Sequence, residues 1–564
     1  MSSERTPLLS TSAAPPTSQG AVDDRSPLLE PSPAPLPPSA PSSSRTSPYK
    51  RLFSPYNRLL LTTALLSAAF TLTATQILYS CKVMICEEYW RDDGHGWAGE
   101  GDRCRLPEIE ARTAVEISRM VTLTTLAGIL NLLTTGYVTK RAGVRRAMLF
   151  QTAWPCVRNL VQTWGVLHGG MAGVRAFQLS QLITIGGGGA GYMLTANTYC
   201  SELVEPDART AAFGRLQGVQ FLGTAAGLMV GGVLGAKLHP AAPFLAALIC
   251  LVLSTFLSGC FLPYIPPPEQ TEASKAKGRG GMLAPIKVFR PRRVTREDGS
   301  SGGRWYGLAL LSLGAFVAVF ATSFIPMLLQ LIGTNRYGFK PDTNGYLMSL
   351  ASLSRAVFLY FAFPSIIAAG RRWYSTSPAR FTPSPSSPSS SSASTLHIPT
   401  TPAEIEPLEP VFQTDQVIEP ALPPEPTSEQ KGSHFDLLFL RLSILLDGVL
   451  TALVPLSSQG WHLFAAAGIL PLASGTAPAA KGVVLEMLAD KDEHADALQG
   501  IAMSETLAMM LTIAASGWVF AKLSEVGRAE ETFYLNAANA LLSFLILLFA
   551  RFPPRQLSRI TSLV

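Results

Sequence analysis

Apolar residues fall into runs of about twenty or more, the length of a helix that crosses a bilayer core, separated by short polar segments. Six runs precede a central break: residues 59–80, 115–139, 146–168, 171–198, 212–238 and 243–264. Six follow it: 304–332, 343–370, 436–454, 461–480, 497–523 and 532–552. The tenth, interrupted by Pro471 and Pro478, is the weakest. The pattern predicts an all-α membrane protein with twelve transmembrane helices in two six-helix halves. Residues 56–265 form one half and 304–552 the other, joined by a linker over 266–303. Residues 1–55 and a Ser/Pro-rich insert at 373–432 are too poor in apolar surface to fold and read as disordered, and residues 553–564 read as a C-terminal tail.

Charge sets the orientation. Lys140, Arg141, Arg145 and Arg146 follow the second run, a cluster from Lys275 to Arg296 follows the sixth, and Arg371 and Arg372 follow the eighth. The loops around Gly169 and Ser458, on the other face, have neither Lys nor Arg. Basic loops stay on the cytosolic side, so both termini, the linker and the insert are expected there. The net charge of +6 is banded between apolar runs and shows no nucleic-acid module. Of 7 cysteines, Cys81, Cys86 and Cys104 share the first loop on the opposite face, where oxidation is permitted. A Cys86–Cys104 disulfide is expected there, with Cys81 an equal competitor. No metal spacing, cofactor motif or catalytic triad occurs, so neither an enzyme nor a cofactor is expected.

Charges within the runs are the candidate chemistry, because a charge at mid-bilayer is costly and usually faces a cavity. Arg158, Arg355 and Asp447 lie near the middle of the third, eighth and ninth runs, and Glu505 a third of the way into the eleventh. These four are the expected substrate or proton pathway. The rival reading is a structural Arg355–Asp447 ion pair. The positive surplus favours an anionic group on the solute. Arg119, Arg175 and Arg441 lie close enough to a run's end to snorkel. His462, at the outer end of the tenth run, could titrate in an acidic lumen, but a solvated interfacial His is the plainer reading. The run Gly186–Gly191, inside the fourth, invites either bending or close packing.

"GYVTKRAGVRRAML", from Gly136, resembles the loop motif of the major facilitator superfamily. Gly136, Arg141, Gly143 and Arg145 match it, whereas Lys140 stands in place of the motif's Asp and Val144 in place of an Arg. The resemblance implies that the inter-helix lock made by that Asp is altered or absent. Gly214, Gly223, Gly227, Gly231 and Gly232 are similar to the family's glycine pattern in the fifth span, with Leu228 in place of Pro. Four-residue spacing of three of these glycines also suits a close helix seam. "ILYSCKVMICEEYW", "SLSRAVFLYFAFPSII" and "FDLLFLRLSILLDG" resemble the fungal branch near the proton-coupled folate transporters. The implied function is secondary transport of a small solute by alternating access, with protons a candidate coupling ion. The alternative is a non-transporting sensor on the same fold.

The N-terminal tail carries Glu4 with Leu8–Leu9 and Asp24 with Leu28–Leu29, two acidic dileucine patterns of equal spacing. In a cytosolic tail they would be read by a sorting adaptor, which directs the expectation to a vacuolar or lysosome-like membrane. Solute, lipids and this adaptor are the expected partners of a monomeric chain.

Overall fold

The computed structural model describes residues 54–93, 104, 107–265, 284–295, 301–339, 341–376, 428–488, 493–553 and 559–561. The dileucine patterns lie outside these residues, as does the insert between 377 and 427. At its edges the insert is helical, not irregular: the helix before it runs to Thr376 and the helix after it starts at Ser428.

Twelve helical spans are present among the described residues. The first is Pro55–Leu72 continued by Ala74–Asp93, the second Pro107–Ala142, the third Val144–His168. The fourth is split into Gly170–Ile183 and Gly189–Leu203; the fifth is Arg209–Lys237 and the sixth Ala242–Phe261. In the second half, the seventh is Gly307–Thr322 with Ile325–Tyr337. The eighth runs from Pro341 to Thr376 through a π-helical turn at Phe358–Ala362. The ninth is Ser428–Leu453, the tenth Gly460–Ile469 and Thr476–Met487, the eleventh His494–Glu525, and the twelfth Thr532–Phe549. Ten are long and apolar enough to cross a membrane by composition alone; the third and fourth complete the set. Exposed Leu, Phe, Val and Trp on the outer faces, such as Leu167, Ile249 and Phe549, are the lipid-facing surface this architecture needs.

The third and fourth spans are less apolar because they serve each other. The fourth is interrupted at residues 184–188, where a Cβ on Gly186 or Gly187 would overlap Trp154 of the third span. Backbone groups freed by a break have no water to bond in a bilayer. Here the side chains supply partners. Gln151 Oε1 accepts from Gly188 N (2.9 Å), Asn131 Oδ1 accepts from Gly191 N (2.8 Å), and Thr134 Oγ1 donates to Ile185 O (2.8 Å).

The glycines of the fifth span divide by direction. Gly223, Gly227 and Gly231 pack on the backbone of the first span at Ala64, Ala68 and Leu72, while Gly214 and Gly218 meet Phe363 and the π-helical turn of the eighth. One helix thus joins its own half on one face and the other half on a second. Gly232 meets nothing within 4 Å. Gly143 is the single residue between the second and third helices, with φ 85°, a conformation that favours glycine.

The linker is not wholly irregular. Arg292–Thr295 pairs antiparallel with both Ser301–Trp305 and Arg559–Thr561, making a three-stranded sheet with the C-terminal tail. Arg292 also pairs with Glu493 (2.6 Å), at the start of the eleventh span. Cys81 and Cys86 lie not in the first loop but on the helix Ala74–Asp93 that continues the first span; Cys86 is bonded to Cys104, and Cys81 is a free, buried thiol.

Candidate functional site

A cavity of about 540 Å³ lies between the halves, and Arg355, Asp447 and Glu505 line it together. The eighth span presents Arg355 one turn before its π-helical segment, a local widening often found at functional sites. The Arg355 guanidinium sits 4.9 Å from the centre of the Phe221 ring, and its Nε is buried without a hydrogen-bond partner. Asp447 is 8% exposed. No ion pair within 4.0 Å joins it to Arg355 among the described residues, so the two charges share a cavity without closing on each other. The structural ion-pair reading does not describe this geometry.

Glu505 faces Lys481 across 3.5 Å. Sequence reasoning missed Lys481 because the tenth apolar run ends at Ala480, where the lysine reads as the start of a loop. In the structure the helix continues to Met487 and Lys481 is 9% exposed. Its stem packs inside the protein, and its ammonium meets the Glu505 carboxylate. The remaining wall is apolar or neutral, with Met193, Met509, Leu470 and Ile325 beside Gln217 and Gln220.

Arg158 is not among the residues lining this cavity. It lies over the Phe70 ring (5.5 Å to the centre) in the first half. The other run-embedded arginines are structural. Arg441 donates to the carbonyls of Leu547 (2.9 Å) and Ala550 (2.7 Å), capping the twelfth span. Arg119 pairs with Glu116 (2.6 Å) on the surface, and Arg175 is exposed. His462 accepts from the backbone of Ser458 (3.1 Å) as part of a helix cap.

Cross-half bonds cluster on the face that carries the basic loops. Lys140 pairs with Asp496, and Gly136 lies against Gln499, whose Nε2 donates to Leu132 O (3.0 Å). Thus the position expected to hold an acidic lock holds a lock of opposite sign. Arg145 donates instead to the Gly259 carbonyl of its own half, and Arg141 to the Tyr137 hydroxyl. Nearby, Arg371 reaches Asp436, Glu486 (2.7 Å) and the carbonyl of Asp207 (2.8 Å), and Thr210 donates to Asp436 (2.5 Å). Asp436 is fully buried. The protein is therefore shut on its basic face, with the charged cavity beyond the closure.

Two six-helix halves around a charged central cavity, sealed at one face, define the architecture of an alternating-access membrane transporter. Residues 106–386, about half of the chain, match the Major Facilitator Superfamily model, and the chain is a multi-pass membrane protein with the fold of that superfamily. The human organic anion transporter MFSD10 has a similar structure: TM-score 0.59 at 16% identity, covering 89% of this chain and 100% of that one. The proton:xylose symporter XylE aligns with TM-score 0.57 at 13% identity, over 89% of this chain and 96% of its own. By sequence, the major facilitator-type transporter psiT1 of Psilocybe cyanescens is 21% identical over 374 residues, 61% of this chain and 79% of that protein.

Proposed function

We propose that the protein is a secondary active transporter that moves a small anionic solute together with protons. The observation that carries this is the placement of Arg355 and Asp447 on one cavity without an ion pair between them. A guanidinium whose Nε lacks a partner can take an anionic oxygen pair in bidentate fashion. Asp447 opposes that anion while ionised, so the anion and a proton on Asp447 bind best together. Glu505, held by Lys481, is a second acidic group from which a proton could leave the cavity. The kinship in fold to an organic anion transporter and to a proton symporter, as those structures are described, agrees with this reading but does not choose the solute.

The test is uptake into vesicles reconstituted with the purified protein, using a panel of radiolabelled organic anions with and without an inward proton gradient. Arg355→Gln should abolish uptake while leaving protein yield near normal. Vesicles that accumulate no anion under any gradient, with ligand binding intact, would favour the sensor reading. For location, we propose the vacuolar or lysosome-like membrane, on the strength of the paired dileucine patterns and the basic-loop orientation. Changing Leu8, Leu9, Leu28 and Leu29 to Ala should send a tagged protein to the cell surface, and an unchanged internal location would remove those leucines as the address.

A further inference from the structure

The charges lining the cavity all come from one half. Arg355, Asp447 and Glu505 belong to the second half, whereas the first contributes only uncharged residues, among them Gly189, Ala190 and Gln220. A solute held by one half alone gives the other half no reason to move. A charge is nevertheless present just behind the uncharged wall. The Arg158 guanidinium lies 5.5 Å from the centre of the Phe70 ring, and a Cβ on Gly189 would sit 3.9 Å from that same ring. The Phe70 ring thus adjoins both the Arg158 guanidinium and the Gly189 stretch of the cavity wall.

Little else holds Arg158. Its Nη1 is 3.4 Å from Thr184 Oγ1, its Nε is buried without a hydrogen-bond partner, and no acidic side chain pairs with it among the described residues. An uncompensated guanidinium at mid-bilayer is expensive to keep, and a stacking contact with one ring offsets only part of that cost. The surroundings add a second positive element. Thr184 opens the break in the fourth span, and Gly189 and Ala190, which start its second helix, line the cavity. A helix start carries partial positive charge, and interrupted helices of transporters aim such ends at anionic groups.

We infer that Arg158, uncovered when the Phe70 ring turns aside, is a second anion anchor, and that the solute is a small dianion of the dicarboxylate class bridging Arg158 and Arg355. The inference rests on the reading of Arg355 as the first anchor. A dianion spanning both walls ties the two halves to one ligand, and it supplies Arg158 with the acidic partner it lacks among the described residues.

The experiment is thermal unfolding of the purified full-length protein titrated with glutarate and adipate, or with pentanoate and hexanoate, at fixed ionic strength. Ligand at free concentration c that binds only the folded state stabilises it by RT ln(1 + c/Kd), so the midpoint's dependence on ligand concentration yields the affinity. The wild type should bind the dicarboxylates roughly tenfold more tightly than the monocarboxylates, the scale of one added charged hydrogen-bonded contact. Arg158→Gln should erase that preference without altering monocarboxylate binding; Arg158→Lys should keep most of it; Arg355→Gln should lose both series. Phe70→Ala, which removes the cover, should keep or increase the preference. A preference unchanged in Arg158→Gln overturns the inference, even if that variant melts lower without ligand, because a purely structural role would move the midpoint and not the ratio. Equal binding of both series to the wild type, lost in Arg355→Gln, also overturns it and leaves the Arg355 reading standing. No binding of either series overturns both.

Discussion

Asp447 presents a carboxylate to the cavity with no hydrogen bond or ion pair among the described residues, close enough to Arg355 to feel its charge. Burying an acid this way is costly in the ionised form unless a counter-charge or a proton relieves it. The two reliefs have opposite consequences for the solute. When Arg355 serves the carboxylate, it is less available to an incoming anion; when a proton does, Arg355 is free. Uptake should therefore rise as the solute-side pH falls. Asp447→Asn, fixed in the neutral form, should give uptake whose rate no longer changes with pH and is not driven by a proton gradient. An Asp447→Asn protein with the wild-type pH profile would move the proton site elsewhere, with Glu505 the next group to test. Lys481 and Glu505 should behave as a unit. Glu505→Gln leaves a buried ammonium without its carboxylate, so Lys481→Met combined with Glu505→Gln should be more stable than Glu505→Gln alone, by about 1–3 kcal/mol. Thermal unfolding of the two variants measures that difference.

Among elements, the fifth span shows how a glycine's worth depends on the direction it faces. Gly227 sits on the Ala68 carbonyl and Thr71 of the first span, and Gly232, five residues on, faces open space. Gly227→Val should prevent the two helices from closing and cut the yield of monodisperse protein severely. Gly232→Ala should be tolerated or slightly stabilising, by about 0.5–1 kcal/mol of helix propensity. Size-exclusion profiles and melting midpoints of the two variants separate these outcomes, and equal damage from both would show that the glycines act by something other than contact.

The same span marks how far the sequence can be read. Five glycines in register announce a close seam, but four-residue spacing cannot say that Gly214 and Gly218 face a different partner from Gly223. The apolar runs announce the twelve spans because the bilayer sets their length, whichever helix neighbours which. Lys481 escaped because composition treats any lysine as an end, whereas the fold buries this one against Glu505. Arg158 and Arg355 read alike as mid-run arginines; only the fold shows that Arg355 lines the cavity while Arg158 lies over Phe70. The strand pairing of the linker with the tail joins segments more than 250 residues apart, beyond any local pattern.

At the scale of the whole molecule, the closed basic face is the state the structure captures. Lys140–Asp496 and the Arg371 cluster clamp the halves there, while the Cys86–Cys104 bond lies within the first half and so does not oppose rocking. Reversing one charge should loosen the clamp. Lys140→Asp should shift the balance toward the state open at the basic face by about 1–3 kcal/mol, the usual range for coupling between sites. Lys140→Asp with Asp496→Lys should restore it. Reaction of a cysteine introduced near Gln499 with a membrane-impermeant thiol reagent, applied from the basic face, reports the shift. If the doubly reversed protein labels as fast as Lys140→Asp, the ion pair is not the clamp.

The inverted polarity of that pair also bears on kinship. An Asp at position 140, as the resembled motif has it, would set a carboxylate against Asp496 instead of an ammonium. A chimera joining a first half with that Asp to the second half of this chain would bring two carboxylates together at Asp496, and their repulsion would resist closing at that face. The halves of this protein have been tuned to each other, and a graft that ignores the sign of one residue should yield a transporter biased open on one side, repairable by returning a single lysine to position 140.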